Sequence, residues 1–255
     1  MLEIKNLWGG DEERTVLKNL NLTIPEGKVT VILGPNGCGK STFLKSLCGI
    51  LNIESGQVIL DGTDLLSQPP RQLAQSIAYL SQSRQIPDIT AYRLVLHGRF
   101  PYLGYPRRYR KEDHAIARSV MEQMGVLELA DTLMEKLSGG QRQKVYIAMA
   151  LAQDTPVILL DEPTTYLDIS HQMQLMQHAR ALAQQGKTVL MVIHDLSHAF
   201  QTADNLILMC DGEVVAEGTT ERIYASGWIE KVFHVRLGRA ETLGGWRYYC
   251  EEGDS

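Results

Sequence analysis

The apolar run from Val29 to Leu33 leads directly into Gly34-Pro35-Asn36-Gly37-Cys38-Gly39-Lys40-Ser41-Thr42, and apolar residues return at Phe43, Leu44 and Leu47. A β-rich run, a glycine-rich turn and a helix-spaced pattern in that order leave few folds open. The segment fits G-x-x-x-x-G-K-[ST]. In that motif backbone N–H groups cradle a nucleotide's phosphates, Lys40 reaches the β and γ oxygens, and Ser41 offers an oxygen to Mg2+. A chance glycine-rich turn is the bland alternative, but the strand before and the helix after are the context the motif requires. Gly49 is placed to stop the helix. Cys38, beside a helix start and the Lys40 ammonium, is expected to have a lowered pKa, since dipole and cation both favour thiolate.

Further buried runs from Val157 to Leu160, Val189 to Ile193 and Leu206 to Met209 alternate with helical patterns, which predicts an α/β fold around a mostly parallel sheet. Val145, Ala148, Met149 and Ala152 fall at i, i+3, i+4 and i+7, the spacing of a helix with one buried face. Ile169, Met173, Met176 and Ala183 repeat that pattern in a helix ending at Gly186. The alternation Leu2, Ile4 and then Leu20, Leu22, Ile24 predicts antiparallel strands beside the core. Between Ala91 and Asp131 the pattern is helical, and the charged stretch from Arg107 to Asp113 starts one helix. From Asp211 a hairpin strand, a short helix and a last strand from Trp246 to Cys250 are expected.

A chain of 255 residues can bury a substantial core. Its net charge of −5 and pI near 5.8 argue against nucleic acid as the main partner. No apolar run approaches the roughly 20 residues of a membrane-spanning helix. The start, Met1-Leu2-Glu3-Ile4, lacks the basic and apolar parts of a secretory signal, so a cytosolic chain is expected. The four cysteines form no C-x-x-C pair and are expected to be reduced. His194 closes a predicted strand while His198 lies in the next helix, so they need not share a face and a metal pair there is improbable.

The run from Val157 ends in Asp161-Glu162. Asp161 is suited to hold Mg2+ directly or through water, and Glu162 to polarise an attacking water; a solvated turn is the bland reading. Upstream, Leu137-Ser138-Gly139-Gly140-Gln141 precedes a helix, which aims bare N–H groups and a positive dipole end at one point. The chain therefore carries two anion sites, and nothing suggests a second nucleotide of its own. The simplest resolution is a dimer in which each Ser138–Gln141 segment closes over the partner's nucleotide.

With these residues in place, the chain resembles the ATP-binding subunits of ABC transporters over nearly its whole length. The matching segments are GPNGCGKST at 34–42, YLSQ at 79–82, LSGGQRQ at 137–143 and LLDEPTTYLD at 159–168. Thr-Thr-Tyr in the last points to the bacterial iron-chelate importers, which take up siderophores, haem or cobalamin. The resemblance implies a P-loop ABC-type ATPase spanning 1–255, with an N-terminal antiparallel β subdomain and an inserted helical subdomain at about 91–140. It implies ATP and Mg2+, an ATP-sandwich homodimer and integral membrane permease subunits. It also implies an indirect extracytoplasmic substrate-binding protein, no nucleic acid, and a peripheral position on the cytoplasmic face of the cell membrane.

By the same resemblance Gln82 contacts Mg2+ and the attacking water, His194 donates to the γ-phosphate, and Asp168 communicates across the dimer, with helix capping as its bland alternative. Trp8 is implied to stack on adenine. The basic and aromatic stretch from His97 to Lys111 suits nucleic acid, anionic lipid headgroups or a partner protein, with a solvated loop as the bland reading; by the resemblance it lies where the family docks a cytoplasmic helix of its membrane subunit, which favours partner contact. Two rivals remain: a soluble ABC ATPase of iron–sulfur cluster assembly, and a non-hydrolysing regulatory module. The second is disfavoured because Lys40, Gln82, Asp161, Glu162 and His194 are all present. The motifs do not encode the imported compound.

Overall fold

The computed structural model describes residues 1–10, 14–82, 85–165, 167–243 and 245–252. Strands β1 (Leu2–Gly10) and β2 (Thr15–Ile24) precede β3 (Val29–Leu33) and helix α1 (Lys40–Leu47). Next come β4 (Ile53–Leu60), β5 (Thr63–Asp64), α2 (Pro70–Ser76) and β6 (Ile77–Leu80). Three helices follow: α3 (Ala91–His97), α4 (Lys111–Gln123) and α5 (Gly139–Ala152). The chain then alternates through β7 (Val157–Asp161), α6 (Ile169–Gln184), β8 (Thr188–Val192), α7 (Leu196–Thr202) and β9 (Asn205–Cys210). It closes with β10 (Glu213–Gly218), α8 (Thr220–Ser226), α9 (Trp228–Phe233) and a hairpin of β11 (Val235–Thr242) and β12 (Gly245–Glu252).

The core sheet runs β10-β9-β3-β8-β7-β6, and only β10 is antiparallel to its neighbour. Every residue of β3, β7 and β8 is buried. Strands covered on both faces need apolar residues at every position, so their sequences show continuous runs instead of alternation. Four loops leave the carboxyl ends of the neighbouring strands β3, β8, β7 and β6, carrying the Gly34–Ser41 turn, His194, Glu162 and Gln82 respectively. Parallel order thus collects at one sheet edge residues that are far apart in sequence.

The expected antiparallel strands form a second sheet, β2-β1-β4-β5, with Leu2 opposite Ile24 and Ile4 opposite Leu22. Its alternation buries Leu2, Ile4, Leu7, Leu20, Leu22 and Ile24 against Phe43, Leu44 and Leu47 of α1.

Two helix faces differ from expectation. In α6, Ile169 and Met173 are 73% and 56% exposed, and the buried stripe is Leu175, Met176, Ala179, Leu182 and Ala183. Asp168 caps this helix away from the sheet, so only its later turns pack on the core. In α5 the expected single buried face extends around most of the helix, since Tyr146, Ile147, Ala150 and Leu151 are buried along with Val145, Ala148 and Ala152. It packs on α3, α4 and β6, and a helix enclosed on several sides is apolar on several sides. This helical block continues to Ala152.

Within the stretch from His97 to Lys111, Arg99 is turned inward. Its Nε lies 3.0 Å from Asp113 Oδ1, its Nη1 donates to Ala152 O at 2.9 Å, and its guanidinium sits 4.0 Å over the Tyr102 ring. Arg99 therefore ties α3, α4 and α5 together. Phe100, Tyr105, Arg107, Arg108, Arg110 and Lys111 form the exposed remainder.

Candidate functional site

Gly34 opens the turn after β3 at φ 155°, and a Cβ there would lie 2.3 Å from Met209 O and 2.6 Å from Cys38 Sγ. Only glycine fits so close to a neighbouring backbone. The turn ends at Gly39, φ 105°, from which α1 starts. The buried Lys40 Nζ donates to Gly34 O at 2.7 Å and Pro35 O at 2.8 Å, which folds the ammonium back over the turn's own carbonyls.

Cys38 departs from expectation. Its thiol is 5% exposed, and burial pushes its pKa up in spite of Lys40 Nζ, 3.9 Å from Sγ. Desolvation of the thiolate outweighs the nearby cation. N-ethylmaleimide at neutral pH should therefore label the exposed Cys250 and leave Cys38 unmodified, as read by peptide mass spectrometry. Fast labelling of Cys38 that ATP suppresses would contradict a buried thiol.

Ser41 Oγ donates to Asp161 Oδ1 at 3.1 Å, and Tyr79 OH donates to Asp161 Oδ2 at 3.2 Å. Burial raises the Asp161 pKa, against the pull of those two hydrogen bonds. A hydroxyl and a carboxylate are the hard oxygen donors Mg2+ prefers, so Ser41 and Asp161 fit such an ion, which would offset the cost of the buried charge. Tyr79, the first residue of YLSQ, lies in β6 beside β7, and that pairing is the signal that places it on Asp161.

Glu162 lies next to this pair with a left-handed backbone, φ 49°. Gln82 Nε2 donates to its Oε2 at 2.5 Å, and His194 Nε2 lies 2.5 Å from its Oε1. One carboxylate thus gathers the residues that follow β6, β7 and β8. Each carboxylate oxygen accepts more than one hydrogen bond, so both remain able to take a water's proton. The Gln82 amide is engaged with Glu162 and not with Asp161.

Ser138 caps α5: its Oγ accepts from Gln141 N at 3.3 Å, while Gln141 Oε1 accepts from Ser138 N at 3.0 Å. This reciprocal box fixes the helix start, with Gly139 and Gly140 leaving the first turn bare. Ser138, Gly140, Gln141, Lys144, Asp168 and His171 line a cleft of about 440 Å3. Asp168 also caps α6, accepting from His171 N at 2.9 Å, and that hydrogen bond holds its carboxyl below the ordinary range. The cleft's lining includes no residue of the Gly34–Ser41 turn, and neither Glu162 nor His194. One chain therefore carries the Gly34–Ser41 turn and the Ser138 cap on separate surfaces.

Trp8, 38% exposed, stands between Leu7 and Gly9 on β1. Leu7 packs with Phe43 and Leu44, and a Cβ on Gly9 would lie 3.6 Å from Ser46 Oγ, so both neighbours face α1. The pairing of β1 is irregular on both sides of Trp8, and Trp8 is the exposed residue of the three. Part of the loop from Gly9 to Arg14, and Tyr166 of LLDEPTTYLD, lie outside the described residues.

Residues 17–165 match the family model for the ABC transporter domain. The chain is 42% identical to the iron(3+)-hydroxamate import ATP-binding protein FhuC of Bacillus subtilis (strain 168), over 92% of this chain and 88% of the relative. It is also 42% identical to the ferric enterobactin transport ATP-binding protein FepC of Escherichia coli (strain K12), over 87% of this chain and 83% of the relative. Among solved structures it resembles a dimeric ATP-binding cassette in a post-hydrolysis state bound to ADP and Pi. That match has a TM-score of 0.76 and 32% identity, covering 86% of this chain and 99% of the other.

Proposed function

Because this chain belongs to the ABC transporter family of ATP-binding proteins, we propose that two copies of it hydrolyse ATP at shared sites to drive import of a ferric siderophore through separate membrane subunits. The observation that carries this is the separation of the Gly34–Ser41 turn from the Ser138 cleft within one chain. Two head-to-tail copies bring each turn opposite the partner's cleft, and the dimeric cassette bound to ADP and Pi supports that pairing.

In the assembled site the backbone N–H groups of Gly37 to Thr42 and the Lys40 ammonium hold the β- and γ-phosphates. Nothing covalent is asked of the protein, so its contribution is positioning and charge. Lys40 exchanges its internal carbonyls for phosphate oxygens. Ser41 and Asp161 would hold Mg2+, which supplies charge neutralisation when bound. Glu162 takes a proton from the water as its oxygen bonds to the γ-phosphorus and the bond to ADP breaks, while Gln82 and His194 orient that carboxylate. Ser138, Gly139 and Gly140 of the partner add N–H and hydroxyl donors on the open side of the γ-phosphate.

Among the described residues no helix is long and apolar enough to cross a membrane. In this reading the permeation path belongs to other subunits. The exposed Phe100, Tyr105, Arg107 and Arg108 form the proposed contact for a cytoplasmic helix of such a subunit. That contact would hold the chain peripherally at the cytoplasmic face, with a substrate-binding protein reached only through the permease. Relatives named for siderophore import support this reading and give none to iron–sulfur assembly. FhuC and FepC are equally similar yet named for different chelates, so overall identity does not select the cargo.

The test is genetic. Cells whose only copy carries Lys40→Ala should lose energy-dependent uptake of radiolabelled ferric siderophore while their other nutrient imports continue. Unchanged uptake, with the wild-type chain recovered only in a soluble complex, would overturn the transport reading.

A further inference from the structure

Gln143 lies in α5 just beyond the Ser138 cap and is 6% exposed. A buried side-chain amide needs a partner. Its Nε2 donates to Pro163 O at 2.6 Å. Pro163 has no N–H, so that carbonyl is its only backbone polar group, and it directly follows Glu162.

The turn at Glu162 needs restraint from outside. Its φ of 49° is unfavourable for a residue with a Cβ, and a following proline disfavours helical backbone at the preceding position as well. Locally the turn is closed by Thr165 N donating to Glu162 O at 3.3 Å, a long bond. The shorter bond from Gln143 anchors the same turn to a different element.

We infer that Gln143 is a positioning residue for Glu162, fastening the helix that presents Ser138 to the turn that presents the catalytic carboxylate. The inference rests on Glu162 being the group that polarises water. It also has a consequence across the dimer. The helix that presents Ser138 to the partner's nucleotide is tied, through the Gln143–Pro163 hydrogen bond, to the turn whose carboxylate acts on the chain's own nucleotide. Engagement of one pocket is thereby transmitted to the other.

Gln143→Met keeps length and burial but removes the donor. The expected result is a kcat lowered by roughly 10–10²-fold, the cost of a misplaced reacting group, with ATP affinity of the isolated chain within about twofold of wild type. Should that variant fail to fold, Gln143→Asn retains an amide too short to reach Pro163 and is read in the same way. A kcat within about threefold of wild type, or an affinity that falls in step with kcat, would overturn the positioning role.

Mixed dimers then locate the effect. Under this assignment Gln143→Met damages the site built on its own phosphate loop, so mixing it with Lys40→Ala leaves no intact site. Mixing Ser138→Arg with Lys40→Ala instead puts both lesions in one site and leaves the other whole. The Gln143→Met mixture should fall below that control by the same factor as its own kcat. Equal activity of the two mixtures would mean that Gln143 acts through the partner's site, and the proposal fails. If the control mixture is itself silent, the shared-site reading fails instead, and the kcat of Gln143→Met alone decides the role of Gln143.

Discussion

Glu162→Gln is expected to lower ATP turnover by ~10²–10⁴-fold, the usual loss on removing a general base, while ATP affinity stays close to that of wild type. The separation follows from the geometry. The proposed phosphate contacts, the Gly34–Ser41 turn and Lys40, are separate from the polar contacts of residue 162, which go to Gln82 and His194. An amide keeps the shape of the side chain but cannot accept a proton from water. It also sets its own N–H₂ against one of the two donors, Gln82 Nε2 or His194 Nε2, that now bracket the carboxylate. The mutant should therefore bind ATP, close and stop there, accumulating as an ATP-bound dimer on size-exclusion chromatography. Turnover within about threefold of wild type would remove Glu162 from the catalytic role, because no general base is worth so little.

Ser138→Arg has an effect of comparable size for a different reason. Ser138 lines the 440 Å3 cleft and is exposed, its hydroxyl accepting from Gln141 N in the local capping box. An arginine there fills the cleft from which the partner's γ-phosphate would be approached and removes the hydroxyl that caps α5. Losing a cap costs about 1 kcal/mol, which the protein should survive. Titration of the isolated chain with ATP should give near wild-type affinity, since the phosphate loop is untouched, whereas steady-state hydrolysis should be abolished.

Much of this site was legible in the sequence because its parts are strand ends. Continuous Val, Ile and Leu runs fix β3, β7 and β8 as central parallel strands, and Gly34–Ser41, Glu162 and His194 follow them directly. Gln82 needed the resemblance, since a glutamine after a strand is ordinarily surface. What the sequence hid is what depends on neighbours. Cys38 reads as an activated thiol from its helix start and its lysine, but depth of burial decides its pKa, and that depth comes with its place in the apolar cluster that includes Leu17, Phe43 and Met209. Ile169 and Met173 fit the helical period yet are exposed, because periodicity gives the face of a helix and not how far along it the core extends. Arg99 reads as part of a basic surface until Asp113 and Ala152 O, distant in sequence, turn it inward. Strand β11 was missed because Val235 to Thr242 has charged and small residues where alternation would mark it, and its stability comes from the hairpin with β12.

Under the proposed function each ATP is hydrolysed between the phosphate loop of one copy and the Ser138 segment of the other. The most direct test mixes Ser138→Arg with Lys40→Ala, each inactive alone, and measures phosphate release. A shared site predicts that activity returns on mixing, because half-sites redistribute and some dimers carry both lesions in one site and none in the other. Activity that never returns, together with loss of ATP binding by isolated Ser138→Arg, would place the Ser138 segment on its own chain's nucleotide and contradict the account.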